Sequence, residues 1–152
     1  MNRAVRLFGL FGDAQLSCQV EFGERMNAAG FVAVGFGAAL GAWLRWGLGI
    51  LLNPLFPTLP LGTLAANLVG GYLVGVAVEI FVQHAGVPPE VRLLIITGFL
   101  GGLTTFSTFS AEAVTLLARQ QYAWALALIG SHLAGSLLMT ILGILTVKVV
   151  QA

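Results

Sequence analysis

Charge is what this sequence has least of. Charged residues make up 9% of the 152 positions, against about a quarter in a soluble globular domain, so no water-facing surface can be assembled from it. A formal net charge of +1 supplies neither a basic stripe nor an acidic tail, which excludes nucleic-acid binding. The single cysteine, Cys18, rules out an intrachain disulfide and a thiolate metal cage. Carboxylates are few in the apolar stretches. Glu79, Glu90 and Glu112 all fall near expected helix ends, and no nucleophile, base and orienting group converge in one motif, so the chain does not read as an enzyme.

What is there is apolar. Hydrophobic residues account for 58%, and they gather into four stretches, 28–52, 61–82, 92–118 and 122–150. A bilayer core about 30 Å thick is crossed by roughly 20 apolar residues in a helix. The expected fold is therefore an all-α membrane protein with four transmembrane helices. The connections are short: "NPLFPTLP", whose prolines stop a helix and stiffen a turn, "QHAGVPPE" and "RQQ". One membrane domain, 26–152, follows an N-terminal arm, 1–25, which carries Arg3, Arg6, Asp13, Glu21, Glu24 and Arg25 around short apolar patches. Because Met26 stands just before the first span, a functional chain that begins there is a second reading of that arm.

Small residues recur four apart: Gly37 and Gly41, Gly71 and Gly75, Gly98 and Gly102, Ser131 and Gly135. Such pairs let two backbones approach closely in lipid. Together they point to a compact bundle with an interface between chains, and four thin helices leave room for a transport route only between subunits.

Polar groups inside a span are costly and are candidate functional positions. Arg45, flanked by Trp43 and Trp46, is either a snorkelling residue in an aromatic belt or a cation at the mouth of an anion path. Asn67 must find partners in the second span: a hydrogen bond between helices, or an anion to which its NH2 donates. Thr63 lies four residues earlier on the same face. His132, Ser136 and Thr140 form one stripe at every fourth residue of the last span. Each alone is explained by bonding to its own helix or to a neighbour. In "GFLGGLTTFSTFSAE" (98–112), Gly101 and Gly102 permit the third helix to break, and the hydroxyls that follow can satisfy the backbone groups so released. Carbonyl oxygens exposed there suit a hard cation. Phe106 and Phe109, three apart, share a face, and the positive edge of an aromatic ring attracts an anion as its face attracts a cation.

"GAALGAWLRWG", "PLGTLAANLVGGYLVG" and above all "GFLGGLTTFSTFSAE" resemble the Fluc (also called CrcB) fluoride channels, over about residues 31–147. The resemblance implies a passive, fluoride-selective channel that exports cytoplasmic fluoride across the bacterial inner membrane, made by two four-helix subunits in an antiparallel, dual-topology homodimer with two pores. It implies a structural Na+ at the two-fold centre, held by the backbone carbonyls of Gly101 and Thr104. Along the anion pathway it places Phe106 and Phe109 as ring-edge contacts, Asn67 as the pore amide, Ser110 and Ser136 as hydroxyls, Glu112 at one pore end and Arg45 in the vestibule; Thr63 joins this pathway by its place on the Asn67 face. His132 and Thr140 are carried only as neighbours.

The alternative is a small four-helix proton-coupled multidrug transporter, which also forms antiparallel dimers. That class needs a carboxylate in its first helix, where this chain has Arg45 and no acid. A purely structural bundle would explain the glycines and leave the Thr, Ser and Phe cluster unexplained.

Overall fold

In a bilayer every backbone N–H and C=O must be satisfied within the protein, so an apolar run of this length folds as a helix. The computed structural model describes residues 28–151, and four of its helical runs are long and apolar enough to cross a membrane. The arm 1–25 and the alternative start at Met26 lie outside the described residues.

Helix α1 (Ala28–Leu52) runs into a 3-10 turn (Asn53–Leu55) that carries Pro54. Helix α2 (Leu61–Gln83) starts directly after Pro60. The third span is built in pieces. One turn, α3 (Pro89–Arg92), passes into a π-helical stretch (Leu93–Leu100) and a second short turn, α4 (Gly101–Leu103). Thr104 and Thr105 are then extended, with φ/ψ of −79°/153° and −148°/118°, before α5 (Phe106–Ala118) begins. Helix α6 (Tyr122–Val150) is unbroken.

The third span thus breaks near its middle, but not at its glycines. Gly101 keeps helical dihedrals (φ −63°, ψ −37°). The neighbouring glycines serve packing: a Cβ on Gly98 would lie 2.8 Å from the Val34 carbonyl oxygen and 3.0 Å from Gly37 Cα, and one on Gly102 would strike the backbone of Ala38. Gly37 and Gly41 meet the same segment from the other side. On the second packed pair, Gly71 and Gly75 of α2 lie on the backbone of α6 at Ser136 and Thr140, and Gly135 faces the Leu68 side chain. The glycines of these four pairs therefore pack against helices of their own chain.

Two apolar clusters follow from this pairing. Ala66, Ala77 and Phe81 of α2 pack with Leu100 and Leu103, while Phe109, Ala113 and Leu116 of α5 pack with Ala125 and Leu128 of α6. Arg92 closes the far end of α2: its guanidinium donates to the carbonyls of Phe81, His84 and Ala85 and lies over the Phe81 ring. The turn from α5 to α6 is closed by Gln120 at φ 58°, with Gln121 N–H on the Leu116 carbonyl and Gln120 N–H on that of Leu117, the Schellman arrangement. Phe56 of the first loop touches Trp124 at the start of α6, so the first and third loops share one end of the bundle.

Candidate functional site

The site is organised around the two extended residues of the third span. Unwinding turns the Thr105 N–H away from the Gly101 carbonyl it would meet in a helix. It donates instead to Asn67 Oδ1 at 2.8 Å, and Asn67 Nδ2 returns a bond to the Thr105 carbonyl at 3.1 Å. The amide thus pairs with both backbone groups of Thr105 as a neighbouring strand would. Its other hydrogen points to His132 Nδ1 at 3.0 Å. Of the two readings of Asn67, the bond between helices is the one this geometry displays.

Thr105 also caps the helix it precedes. Its Oγ1 accepts from the Thr108 N–H at 3.1 Å and donates to Thr108 Oγ1 at 3.0 Å. An N-cap hydroxyl of this kind satisfies a backbone donor left open at a helix start. The Thr108 N–H is thereby withdrawn from the Thr104 carbonyl. Gly102, also beside the break, receives Arg45: Nε donates to its carbonyl oxygen at 3.1 Å. Arg45 is therefore tethered inward at the break and is only half-buried, while Trp43 and Trp46 on either side face outward.

Two grooves flank this layer. The first, of about 440 Å³, is lined by Arg45, Asn53, Thr63, Thr105 and Thr108 together with Gly49. The second, of about 370 Å³, is lined by Glu112, Thr108, Thr115 and Thr58, with Arg119 and Gln121 from the third loop. Thr108 belongs to both. Thr63 joins them, because from the first groove its hydroxyl donates to Glu112 Oε1 at 2.6 Å. The second carboxylate oxygen of Glu112 is buried and has no hydrogen-bond partner among the described residues. Glu112 was expected near a helix end; it lies in the middle of α5, because the break starts that helix at Phe106.

The two phenylalanines touch, with ring centroids 5.5 Å apart and planes at 59°. They do not share an environment. Phe109 is 7% exposed and stacks on His132 at 4.8 Å, whereas Phe106 is 75% exposed. Ser110 donates to the Phe106 carbonyl at 2.8 Å. The stripe on α6 faces α2: His132 reaches Asn67, and Thr140 donates to the Gly71 carbonyl at 3.1 Å and to that of Ser136 at 2.9 Å. Ser136 lies between them, on the backbone of Gly71.

The structure thus brings together Arg45, Thr63, Asn67, Phe109 and Glu112 with Thr105, Thr108 and His132, while Phe106 and Gly101 face outward. Sequence reasoning gives Asn53 no role, and it gives Thr105 and Thr108 only a general one, as hydroxyls able to satisfy backbone groups released at the break, which Thr105 does for the Thr108 N–H. For the threonines the signal was a Thr three residues before a second Thr at a helix start, the spacing of an N-cap. Among the described residues no three His, Cys, Asp or Glu side chains gather as metal ligands.

Residues 32–144 match the family described as CrcB-like protein, Camphor Resistance (CrcB). A "Fluoride-specific ion channel FluC" of Nitrosospira multiformis is 70% identical over 123 residues, spanning 81% of this chain and 96% of that relative. Proteins of the same name from Cupriavidus pinatubonensis and Ralstonia pickettii are each 63% identical over 123 residues, with 81% of this chain and 98% of the relative covered.

Proposed function

The chain belongs to the CrcB family, and from that premise we propose that it is a passive, fluoride-selective channel of the bacterial inner membrane, formed by two copies in opposite orientations with two pores along their shared face. The relatives' shared name supports the ion. The observation that carries the reading within this chain is the unwound Thr104–Thr105 step, where the Asn67 amide meets open backbone beside a groove lined by the tethered Arg45 and by Thr63, Thr105 and Thr108.

Fluoride is small and strongly hydrated, so a pore must replace its water with donors without holding it so tightly that it stays. Many weak sites favour passage over trapping. Arg45 raises the local anion concentration at the groove. From there the ion meets the hydroxyls of Thr63, Thr105 and Thr108, then the amide of Asn67, whose hydrogen on His132 is the one an anion takes over. Ser110 and Ser136 add hydroxyls beyond the break. Phe106 and Phe109 present ring edges, the exposed Phe106 toward the second copy. Glu112, held by Thr63, marks the other end of the route. Export follows from the gradient, since fluoride accumulates in the cytoplasm when neutral hydrogen fluoride enters and dissociates.

The central Na+ is part of the same proposal. The carbonyl oxygens of Gly101 and Thr104 are hard ligands, and both lose their helical donors because the Thr105 N–H turns to Asn67 and the Thr108 N–H to Thr105 Oγ1. Two copies about a two-fold axis present these oxygens in duplicate, in protein rather than lipid. When bound, the ion supplies a fixed positive charge that holds two breaks together.

A proton-coupled drug transporter finds no support: α1 carries no carboxylate. Efflux from liposomes loaded with fluoride or with chloride is the test. Rapid fluoride release with chloride retained is expected; equal release of both, or of neither, overturns the proposal.

A further inference from the structure

Asn53, where α1 ends, has its side chain split between two tasks. Its Oδ1 accepts the Gly62 N–H at 2.8 Å, which draws together the two ends of the proline-rich first loop. An amide whose oxygen is committed to a donor presents its NH2 on the opposite side. There it meets no acceptor among the described residues. One turn earlier on α1, a Cβ added at Gly49 would stand 3.5 Å from Nδ2. Gly49, Asn53 and Arg45 line the same groove. Among the described residues Arg45 has only its Nε engaged, on the Gly102 carbonyl, and its side chain lines that groove.

We propose that Asn53 Nδ2 and the Arg45 guanidinium together form a capture site for a small, hard anion at the groove mouth, the amide replacing the first of the ion's waters. The inference rests on the channel reading above. Asn53 is suited to this position because one side chain both holds the loop in place and aims a donor. A carboxylate would hold the loop equally well and repel the ion.

The test uses the full chain in liposomes, with fluoride efflux read by electrode. Asn53→Asp keeps the acceptor for Gly62 and loses the donor. It should elute as wild type does and melt at the same temperature, yet conduct about tenfold more slowly, the loss of one hydrogen bond to a charged group. The deficit should persist in about 1 M salt of a large impermeant anion, where the screening length falls to about 3 Å and long-range repulsion is removed. Gly49→Leu, which covers the amide without changing charge or the loop contact, should slow efflux likewise and keeps the proposal testable where the Asp variant does not fold. Wild-type rates in either variant, or a deficit of Asn53→Asp abolished by salt, overturn the capture site while leaving the channel intact. A wild-type protein that releases no fluoride overturns the channel reading, and this inference with it.

Discussion

Asn67 and Thr105 lie on different spans, 38 residues apart, and exchange two hydrogen bonds, 2.8 Å from the threonine N–H to Oδ1 and 3.1 Å from Nδ2 to the threonine carbonyl. A side-chain amide thus pairs with both backbone groups of a residue that the break takes out of the helix.

Asn67→Ala should therefore unsettle the break itself. It leaves a buried N–H and C=O without partners, at a cost of about 1–3 kcal/mol for each. Asn67→Asp retains the acceptor for the Thr105 N–H but sets an oxygen against the Thr105 carbonyl and His132, so it should be destabilised as well. Melting of the purified protein in detergent, followed beside fluoride flux, reads both effects. An alanine variant as stable as wild type would show that the amide does not hold the break.

Phe106→Ile and Phe109→Ile should separate packing from conduction. Phe109 is buried against His132, and its replacement should lower stability by about 1 kcal/mol, while exposed Phe106 should tolerate the change. Both should lose fluoride flux if ring edges carry the ion. Wild-type flux in both and in the double variant would leave the rings as packing alone.

Exchange of all sodium for a large organic cation should lower both dimer stability and flux, and added sodium should restore them. The basis is the pair of released carbonyls, Gly101 and Thr104. Sodium itself should not be transported. Activity and dimer stability unchanged after prolonged dialysis would remove the site from the proposal.

Orientation follows from the count of basic residues on each side. Arg45 and Arg119 lie toward the end that holds the first and third loops, and Arg92 and Lys148 toward the other, two against two when counted from Met26. Such a chain has no preferred direction and should insert both ways, as an antiparallel pair requires. Arg3, Arg6 and Arg25 would make the count five against two and give every copy a cytosolic N-terminus. Single cysteines at Ala85 and Gln121, in a chain without Cys18, can be labelled from outside intact cells with an impermeant reagent. Gln121 is preferred to Gln120, whose positive φ disfavours a substituted side chain. About half of each pool should react in a dual-topology chain; labelling at one position only would exclude dual topology.

The amino-acid sequence by itself determined the four spans, their ends and the break in the third. Span length answers to bilayer thickness, and prolines act on their own turn, so both are local properties of the chain. The cluster 104–110 was legible as a polar site for the same reason: hydroxyls crowded into an apolar run must have partners. Where the break falls was decided only in the tertiary structure. Glycine marks where a helix is able to unwind, yet Gly98 and Gly102 are pressed against the backbone of α1 and stay helical. The chain opens instead at Thr105, where Asn67 arrives from another span with both a donor and an acceptor. The pairing of Thr63 with Glu112 across 49 residues and of Arg45 with the Gly102 carbonyl was equally out of reach. A polar group in a membrane must be paired, and which partner it takes depends on which helix faces it, a matter settled by the packing of glycine against backbone across the whole bundle.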